Sequence, residues 1–272
     1  MNWWMKNYNG GNIKMKSFFL IAGPCVIEDP SETIDIAKEL KRITDELNIN
    51  FIFKASYKKA NRTSHMSYEG PGLREGLVLL KYIKTEFGIR VTSDVHNITE
   101  VEQATDMLDI IQIPAFLCRQ TDLIRAVART GVPVNVKKGQ FLAPWDMVHV
   151  VEKLKHFGCH SVWVTERGTT FGYNNLVVDF RSIPIMKEET KCPVVLDVTH
   201  SVQLPGGAGM TSGGQREFVP MLAKAGIAAG VDGIFMEVHP EPDKALCDGP
   251  NMVKLDEVEN LLKELIRIKG TY

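Results

Sequence analysis

The stretch FFLIAGPC, residues 18–25, is an unbroken apolar run that ends in Gly, Pro and Cys. Seven later stretches follow the same pattern, each a short β-branched run that gains polar residues only near its end. Such runs are typical of parallel strands that are buried on both faces of a sheet. The eight predicted strands span residues 18–25, 51–57, 90–96, 109–114, 133–139, 161–168, 193–200 and 233–240.

Longer amphipathic segments lie between these runs and predict helices. They span residues 31–47, 73–87, 99–107, 121–130, 145–157, 215–229 and 255–268. The segment between the sixth and seventh strands shows no clear period, so we expect irregular structure there. Eight β-then-α units in about 250 residues predict an α/β protein, namely a (β/α)8 barrel of the TIM type.

An open, doubly wound sheet is the alternative architecture, but no glycine-rich dinucleotide fingerprint follows the first strand. Since no linker-like stretch interrupts the pattern, we assign residues 17–272 to a single barrel domain. Residues 1–16 are rich in Trp, Asn, Met and Lys and lack a period. They predict a short N-terminal extension, either a hairpin or disordered.

The overall charge and the cysteine content exclude several classes of protein. The 272 residues carry 32 Lys and Arg against 33 Asp and Glu, a net charge of −1, which argues against a nucleic-acid partner. Five cysteines without a C-x-x-C pair favour a reducing compartment, and we expect the cytoplasm. The apolar run before Pro24 is too short for a signal peptide, and no run approaches the roughly 18 apolar residues of a spanning helix. We therefore expect no membrane partner.

Charged side chains concentrate at the carboxyl ends of the predicted strands, where a (β/α)8 barrel carries its active site. Burying a charge there costs several kcal/mol unless a partner or ligand compensates. Lys and Arg bind phosphate and carboxylate groups, so these cations predict a ligand with more than one negative charge. They are Lys54, Lys59, Arg62, Arg119, Lys137, Lys138 and Arg167. KANRTS at 59–64 adds amide and hydroxyl donors and predicts a phosphate-binding loop, the alternative being a solvated polar loop.

Residue types that bind metals form a second group, which consists of Cys25, His200, Glu237 and Asp248. Barrel closure places the last strand beside the first, with the seventh next to it, so these residues should converge. A thiolate, an imidazole and two carboxylates suit Zn²⁺ or Fe²⁺ better than Mg²⁺. The alternative for Cys25 is a small buried apolar residue.

Seven long motifs resemble those of the 3-deoxy-D-manno-octulosonate 8-phosphate (KDO8P) synthase family. They are IAGPC at 21–25, KANRTS at 59–64, IQIPAFLCRQTDL at 111–123, NVKKGQFLAPWD at 135–146, TERGTTFGYNNLVVDFRS at 165–182, DVTHSVQLPGG at 197–207 and MEVHPEPDKALCDGP at 236–250. The resemblance implies a transferase that condenses phosphoenolpyruvate, D-arabinose 5-phosphate and water to KDO 8-phosphate and inorganic phosphate. That reaction supplies a lipopolysaccharide precursor. The resemblance further implies a homotetramer.

The resemblance also assigns roles to individual residues. It implies catalytic roles for Lys54, Lys59, Asp94, His96, Lys137, Arg167 and His200. It implies substrate-binding roles for Asn61, Arg62, Thr63, Gln112, Phe116, Arg119, Lys137 and Arg167. It implies one divalent metal on Cys25, His200, Glu237 and Asp248, either Zn²⁺ or Fe²⁺, with Mn²⁺ as a further candidate.

Within these sets, each substrate has its own expected residues. The residues implied to bind the phosphate and carboxylate of phosphoenolpyruvate are Lys54, Lys59, Lys137 and Arg167. The residues implied to bind the phosphate of arabinose 5-phosphate are Asn61, Arg62 and Thr63. Asp94 and His96 are implied to contact the rest of the sugar. Phe116 and Arg119 resemble residues that reach the site of a neighbouring subunit.

The KDO8P synthase family has a metal-dependent and a metal-free branch, and the chain resembles both. Cys25 is typical of the metal-dependent branch, where the other has Asn. The tail CDGP at 247–250 resembles the metal-free branch. We follow Cys25, because a thiolate is a direct metal ligand.

Two other functions remain as alternatives. A related seven-carbon (DAHP-type) synthase uses erythrose 4-phosphate and has a Lys-Pro-Arg type motif where this chain has Lys59, Ala60, Asn61 and Arg62. A non-catalytic barrel that binds phosphosugars is the second alternative. The chain does not favour it, because every charged position expected for the chemistry is occupied.

Overall fold

A computed structural model describes residues 18–207 and 213–271 of the chain. Eight parallel strands form a closed barrel in sequence order, and the last strand pairs with the first from Phe19 opposite Gly233 to Gly23 opposite Glu237. The strands are β1 (Phe19–Gly23), β2 (Asn50–Lys54), β3 (Arg90–Asp94), β4 (Ile110–Ile113), β5 (Val134–Lys137), β6 (Val162–Glu166), β7 (Val194–Asp197) and β8 (Gly233–His239). The predicted (β/α)8 barrel is confirmed, and the predicted extension over residues 1–16 lies outside the described residues.

Helices connect the strands and cover the outside of the barrel. They are α1 (Pro30–Glu46), α2 (Leu73–Phe87), α3 (Ile98–Ala104), α4 (Thr121–Arg129), α5 (Met147–His156), α6 (Ser182–Thr190), α7 (Val219–Ala228) and α8 (Val258–Lys269). Two of these helices have side-chain N-caps. Asp29 and Asn97 accept hydrogen bonds from backbone amides in the first turns of α1 and α3. No helix in residues 18–207 or 213–271 has the length and apolarity that a bilayer crossing requires.

Helix α6 corrects the prediction of an irregular segment between the sixth and seventh strands. Its nine residues bury Ile183, Met186 and Thr190 against the barrel, which is a helical spacing. Pro184 lies in the first turn, where a missing backbone N–H is tolerated. The helix escaped prediction because it is short, contains a proline and follows a small hairpin between Thr169–Thr170 and Leu176–Val177.

The core has two layers that the strands separate. A large cluster joins strand residues such as Leu20, Phe53 and Val136 to the helices, so these side chains face outwards. A small cluster fills the barrel interior and contains Phe19, Ile21, Ile52, Ile110, Trp163, Val195 and Phe235. Because strand side chains alternate between faces, residues two positions beyond this layer also face the interior. They include Lys54, Gln112, Asp197 and Glu237, so the barrel is apolar at its base and charged at the carboxyl ends.

Candidate active site

A cavity of about 250 Å³ opens at the carboxyl ends of the strands. Among the predicted site residues, it is lined by Lys54, Lys59, Asn61, Asp94, His96, Phe116, Lys137, Arg167 and His200. These residues come from six strands or the loops that follow them, and the fold brings them together as expected for this class of barrel.

The three lysines of the cavity are buried and paired with carboxylates. Lys54 Nζ lies 3.0 Å from Glu237 Oε1, and Lys59 Nζ lies 3.5 Å from the same oxygen. Lys137 Nζ lies 2.6 Å from Asp197 Oδ2 and 3.6 Å from the centre of the Phe235 ring. Burial lowers the pKa of Lys137, against the opposing effect of Asp197. The pairs therefore hold the lysine ammonium groups at the mouth of the barrel.

Arg167 differs from these lysines, because its guanidinium has no carboxylate partner among the described residues. Its Nε and Nη1 are buried without a hydrogen-bond partner in the described part of the chain, and Nη2 donates to Gln203 Oε1 at 3.3 Å. Burial lowers the pKa of Arg167, although nearby carboxylates oppose this effect. Buried donors without partners are costly, so this geometry favours an anion in the cavity.

Asp94 and His96 are each held by buried side chains behind the cavity wall. Asp94 accepts hydrogen bonds from Ser56 Oγ at 3.0 Å and from Gln112 Nε2 at 2.7 Å. His96 Nδ1 lies 2.8 Å from Glu100 Oε2, an oxygen that also accepts from the Tyr57 hydroxyl at 2.8 Å. These contacts fix the orientation of both predicted sugar-side residues.

Gln112, one of the predicted substrate-binding residues, does not line the cavity. It is fully buried and, besides donating to Asp94, accepts a hydrogen bond from Asn135 Nδ2 at 2.8 Å. The amide of Gln112 therefore positions Asp94. Burial alone would raise the pKa of Asp94, but Lys54 and Lys59 hold it well below its usual range.

The loop after β2 and the loop after β8 enclose a second cavity, of about 190 Å³. Its lining includes the three residues of the predicted phosphate-binding loop, Asn61, Arg62 and Thr63. Arg62 Nη2 donates to the Leu246 carbonyl at 3.0 Å, so the second loop supports the guanidinium. Asn61 lines both cavities, which places them side by side.

The predicted metal ligands converge between the two cavities. Ligand atoms of His200, Glu237 and Asp248 lie within 4.8 Å of one another, and those of Cys25, Cys247 and Asp248 form a second such group. His200 Nε2 lies 3.8 Å from both Glu237 Oε1 and Asp248 Oδ2. Cys25 Sγ lies 3.5 Å from Asp248 Oδ2. Asp248 belongs to both groups, so the four predicted ligands surround one shared carboxylate.

The chemistry of these donors fits a divalent metal. Glu237 Oε2 is buried without a hydrogen-bond partner among the described residues, which leaves a carboxylate oxygen free to coordinate. Burial would raise the pKa of Glu237, but Lys59, Lys54 and His200 hold it well below its usual range. Burial and the neighbouring Cys247 raise the pKa of the Cys25 thiol, so a metal must displace a proton from this sulfur.

Two of the cations that the sequence analysis placed at the carboxyl ends of the strands, Lys138 and Arg119, do not line the main cavity. Lys138 is fully buried on the outward face, where Nζ lies 3.0 Å from Thr169 Oγ1 and 3.4 Å from Glu166 Oε1. Arg119 lines a separate cavity of about 190 Å³ together with Asp146 and Lys153. Both residues are therefore removed from the group of cations that faces the main cavity.

The sequence analysis did not identify Asp197 and Glu100, although each contacts a predicted site residue and fixes its orientation. Asp197 contacts Lys137 and His200, and Glu100 contacts His96. The alternation of side chains along β7 could have identified Asp197, since it lies two positions beyond the buried Val195. Glu100 lies on α3, and no spacing in the sequence connects it to the site.

The fold and the site define a class: a (β/α)8-barrel enzyme whose carboxyl-end cavity suits anionic substrates and whose rim offers ligands for a metal. A model of the DAHP synthetase I family matches residues 8–270. Proteins named 2-dehydro-3-deoxyphosphooctonate aldolase are similar over nearly the whole chain. The protein of Desulfosudis oleivorans is 60% identical over 250 residues, 92% of this chain and 90% of that protein.

Two further relatives with this name show the same extent of similarity. The protein of Desulfotalea psychrophila is 55% identical over 265 residues, 96% of this chain and 94% of that protein. The protein of Geobacter metallireducens is 59% identical over 258 residues, 94% of each chain. The chain belongs to the DAHP synthetase I family and, within it, to the KDO8P synthases, for which 2-dehydro-3-deoxyphosphooctonate aldolase is another name. The family resemblance of the motifs is thereby confirmed.

Proposed function

We propose that the chain condenses phosphoenolpyruvate with D-arabinose 5-phosphate and water to form KDO 8-phosphate and inorganic phosphate. The catalytic domain spans residues 17–272. The names of the relatives support this reaction over the seven-carbon alternative. The observation that carries the proposal is Arg167, which lines the cavity together with Lys137 and has two buried nitrogens without a hydrogen-bond partner among the residues that the structure describes. This arrangement suits a small, multiply charged anion.

Phosphoenolpyruvate binds in the larger cavity. Arg167 and Lys137 provide a guanidinium and an ammonium group for its phosphate, while Lys54 and Lys59 lie on the Glu237 side and suit its carboxylate. The existing lysine–carboxylate pairs keep these cations in place before the substrate arrives. Binding therefore requires little rearrangement of the protein.

Arabinose 5-phosphate extends from the second cavity into the first. Its phosphate contacts Asn61, Arg62 and Thr63, and its hydroxyl groups contact Asp94 and His96. Since the two cavities are adjacent, this arrangement brings the aldehyde of the sugar close to the enol phosphate. Proximity of this kind supplies a large part of the rate enhancement of a bimolecular reaction.

The reaction joins C3 of the enol phosphate to the aldehyde carbon while water adds at C2. The resulting hemiketal bisphosphate loses inorganic phosphate by cleavage of its C–O bond. The cations neutralise both phosphates at close range, and the buried walls limit the entry of other water molecules. A metal held by Cys25, His200, Glu237 and Asp248 would supply Lewis acidity that orients the aldehyde or the attacking water.

The metal is Zn²⁺ or Fe²⁺, with Mn²⁺ as a weaker candidate. Sulfur and imidazole ligands favour Zn²⁺ and Fe²⁺ over the harder cations. The chain acts in the cytoplasm as a homotetramer. All five cysteines are unpaired, which suits a reducing compartment, and the half-exposed Phe116 is available at the subunit interface that the family resemblance implies. Light scattering of the purified protein tests the tetramer.

A phosphate-release assay tests the reaction. Phosphoenolpyruvate is supplied with arabinose 5-phosphate, with erythrose 4-phosphate or alone, and the product is identified by mass spectrometry. We expect phosphate release only when phosphoenolpyruvate and a sugar are both present, with arabinose 5-phosphate preferred. Preference for erythrose 4-phosphate would indicate the seven-carbon synthase instead, and no release with either sugar would indicate a binding protein.

A further inference from the structure

Cys247 lies beside the metal site, although the reaction proposed above gives it no role. It is buried in the loop after β8, and its Sγ lies 2.9 Å from Cys25 Sγ. Arg62 Nη1 donates a hydrogen bond to the same sulfur at 2.8 Å. A second sulfur is therefore positioned next to the predicted thiolate ligand.

The backbone of Asp248 allows two adjacent residues to contribute to one site. Asp248 has φ 51° and ψ 20°, a left-handed conformation that Asp tolerates better than most residues. With this turn, the ligand atoms of Cys247, Asp248 and Cys25 all lie within 4.8 Å of one another. Asp248 also belongs to the group formed with His200 and Glu237, so it joins the sulfur ligands to the imidazole and carboxylate ligands.

Packing alone does not account for the surroundings of this sulfur. Cys247 does contact an apolar cluster that includes Val26 and Met252. A cysteine that served only to fill space would have no need of a guanidinium donor or of a second thiol at 2.9 Å. The positive charge of Arg62 would offset the negative charge of a coordinated thiolate.

We propose that the metal of this chain has two sulfur ligands, Cys25 and Cys247, in addition to ligands from the His200, Glu237 and Asp248 group. The inference rests on the metal site of the proposed function. In a tetrahedral zinc site with Zn–S bonds of about 2.3 Å, the two sulfurs lie about 3.8 Å apart, so they need to separate by roughly 1 Å. The proposal therefore requires the side chains of Cys25 and Cys247 to rotate when the metal binds. Each thiol loses one proton to solvent on coordination.

Two thiolates narrow the choice of metal. Soft ligands select Zn²⁺ or Fe²⁺ over Mn²⁺ and Mg²⁺ more strongly when there are two of them. The CDGP tail at 247–250 then contributes to metal binding in this chain, although it resembles the tail of the metal-free branch.

Cobalt substitution counts the sulfur ligands without measuring activity. The metal-free protein is prepared under reducing, anaerobic conditions, its five thiols are verified and Co²⁺ is added. The thiolate-to-cobalt absorption in the near ultraviolet scales with the number of thiolates. We expect Cys247→Ser to lose about half of this absorption and Cys25→Ser to lose a similar share. The control is Cys192→Ser, which should leave this absorption unchanged. Cys192 contacts Thr190 and precedes β7, at the amino ends of the strands, whereas the metal site lies at their carboxyl ends.

X-ray absorption of the zinc-loaded protein gives an independent count. Two sulfurs are expected for the wild type and one for Cys247→Ser, with circular dichroism confirming that each variant is folded. If Cys247→Ser keeps the full absorption and both sulfurs while Cys25→Ser loses absorption and one sulfur, the metal binds at the proposed site but Cys247 is not a ligand. If neither variant changes the spectrum, or no Co²⁺ binds, the metal site fails as well. The phosphate-release assay decides the proposed reaction separately.

Discussion

Asp197 Oδ2 lies 2.8 Å from His200 Nδ1. Burial alone would raise the pKa of Asp197, but His200 and Lys137 hold it well below its usual range. The ionised carboxylate can only accept a hydrogen bond, so Nδ1 carries a proton and Nε2 is the ring nitrogen left to face other groups. Nε2 lies 3.8 Å from both Glu237 and Asp248. This is how a carboxylate orients a metal-binding histidine.

Replacing Asp197 is therefore expected to weaken metal binding. In Asp197→Asn the ring of His200 loses its fixed tautomer, and metal affinity should fall about 10- to 100-fold. Competition with a chromogenic chelator measures the affinity. The control is Asp45→Asn, which changes an exposed residue of α1 paired with Lys41. Unchanged affinity in a folded Asp197→Asn protein would contradict the orientation argument.

Removing the metal is expected to abolish turnover. Treatment with a strong chelator should eliminate phosphate release, and added Zn²⁺ or Fe²⁺ should restore it, because the ligands around Cys25 and His200 suit these ions. Elemental analysis must verify that the metal is gone. Full activity in verified metal-free protein would place this chain in the metal-free branch.

Lys137 is expected to contribute strongly to catalysis. Its ammonium group lies between Asp197 and the Phe235 ring and faces the larger cavity. Lys137→Met should reduce kcat/KM for phosphoenolpyruvate about 100- to 1,000-fold, which is the usual effect of removing one preorganised electrostatic group. The matched control is Lys224→Met on the outside of α7, where Lys224 pairs with Glu264. A similar loss in both variants would point to a general effect on the fold.

Arg62 is expected to act on the sugar substrate. Arg62→Ala should raise KM for arabinose 5-phosphate about 10- to 100-fold and change KM for phosphoenolpyruvate much less, since a hydrogen bond to a charged group contributes about 1.5–3 kcal/mol. Steady-state kinetics with each substrate varied in turn measure both values. The comparison variant is Arg42→Ala, which removes exposed ion pairs of α1. If the kinetics do not change, Arg62 is not part of the phosphate-binding loop.

Asp94 is expected to make stability depend on pH. Lys54 and Lys59 hold its pKa below the ordinary value of about 4, despite burial. A carboxyl group with a lowered pKa in the folded state contributes stability above about pH 4, and this contribution is lost as the pH falls further. Urea midpoints measured from neutral pH down to about pH 3 should therefore fall for the wild type. The Asp94→Asn variant should have a lower urea midpoint at neutral pH, and its midpoint should fall less steeply as the pH is lowered. If the midpoints of both proteins fall in parallel, Asp94 does not cause this pH dependence.

The hydrophobic pattern was sufficient to predict the architecture. Runs such as residues 18–25 are apolar on both faces, and their alternation with amphipathic segments is typical of a parallel sheet covered by helices. The polar ends of the strands likewise predicted where the site lies, because all carboxyl ends of a parallel barrel meet at one rim. Helix α6 was missed because nine residues with a proline give too weak a period.

The sequence determined which chemical groups reach the rim, and the tertiary structure decided which of them face the cavity. Lys137 and Lys138 are adjacent in sequence, yet Lys137 faces Asp197 inside the barrel and Lys138 faces Glu166 outside it. Successive side chains of a strand point to opposite faces, so an identical residue one position later enters a different environment. Contacts between distant segments, such as Cys25 with Cys247, depend on barrel closure and on the turn at Asp248, which no local pattern encodes.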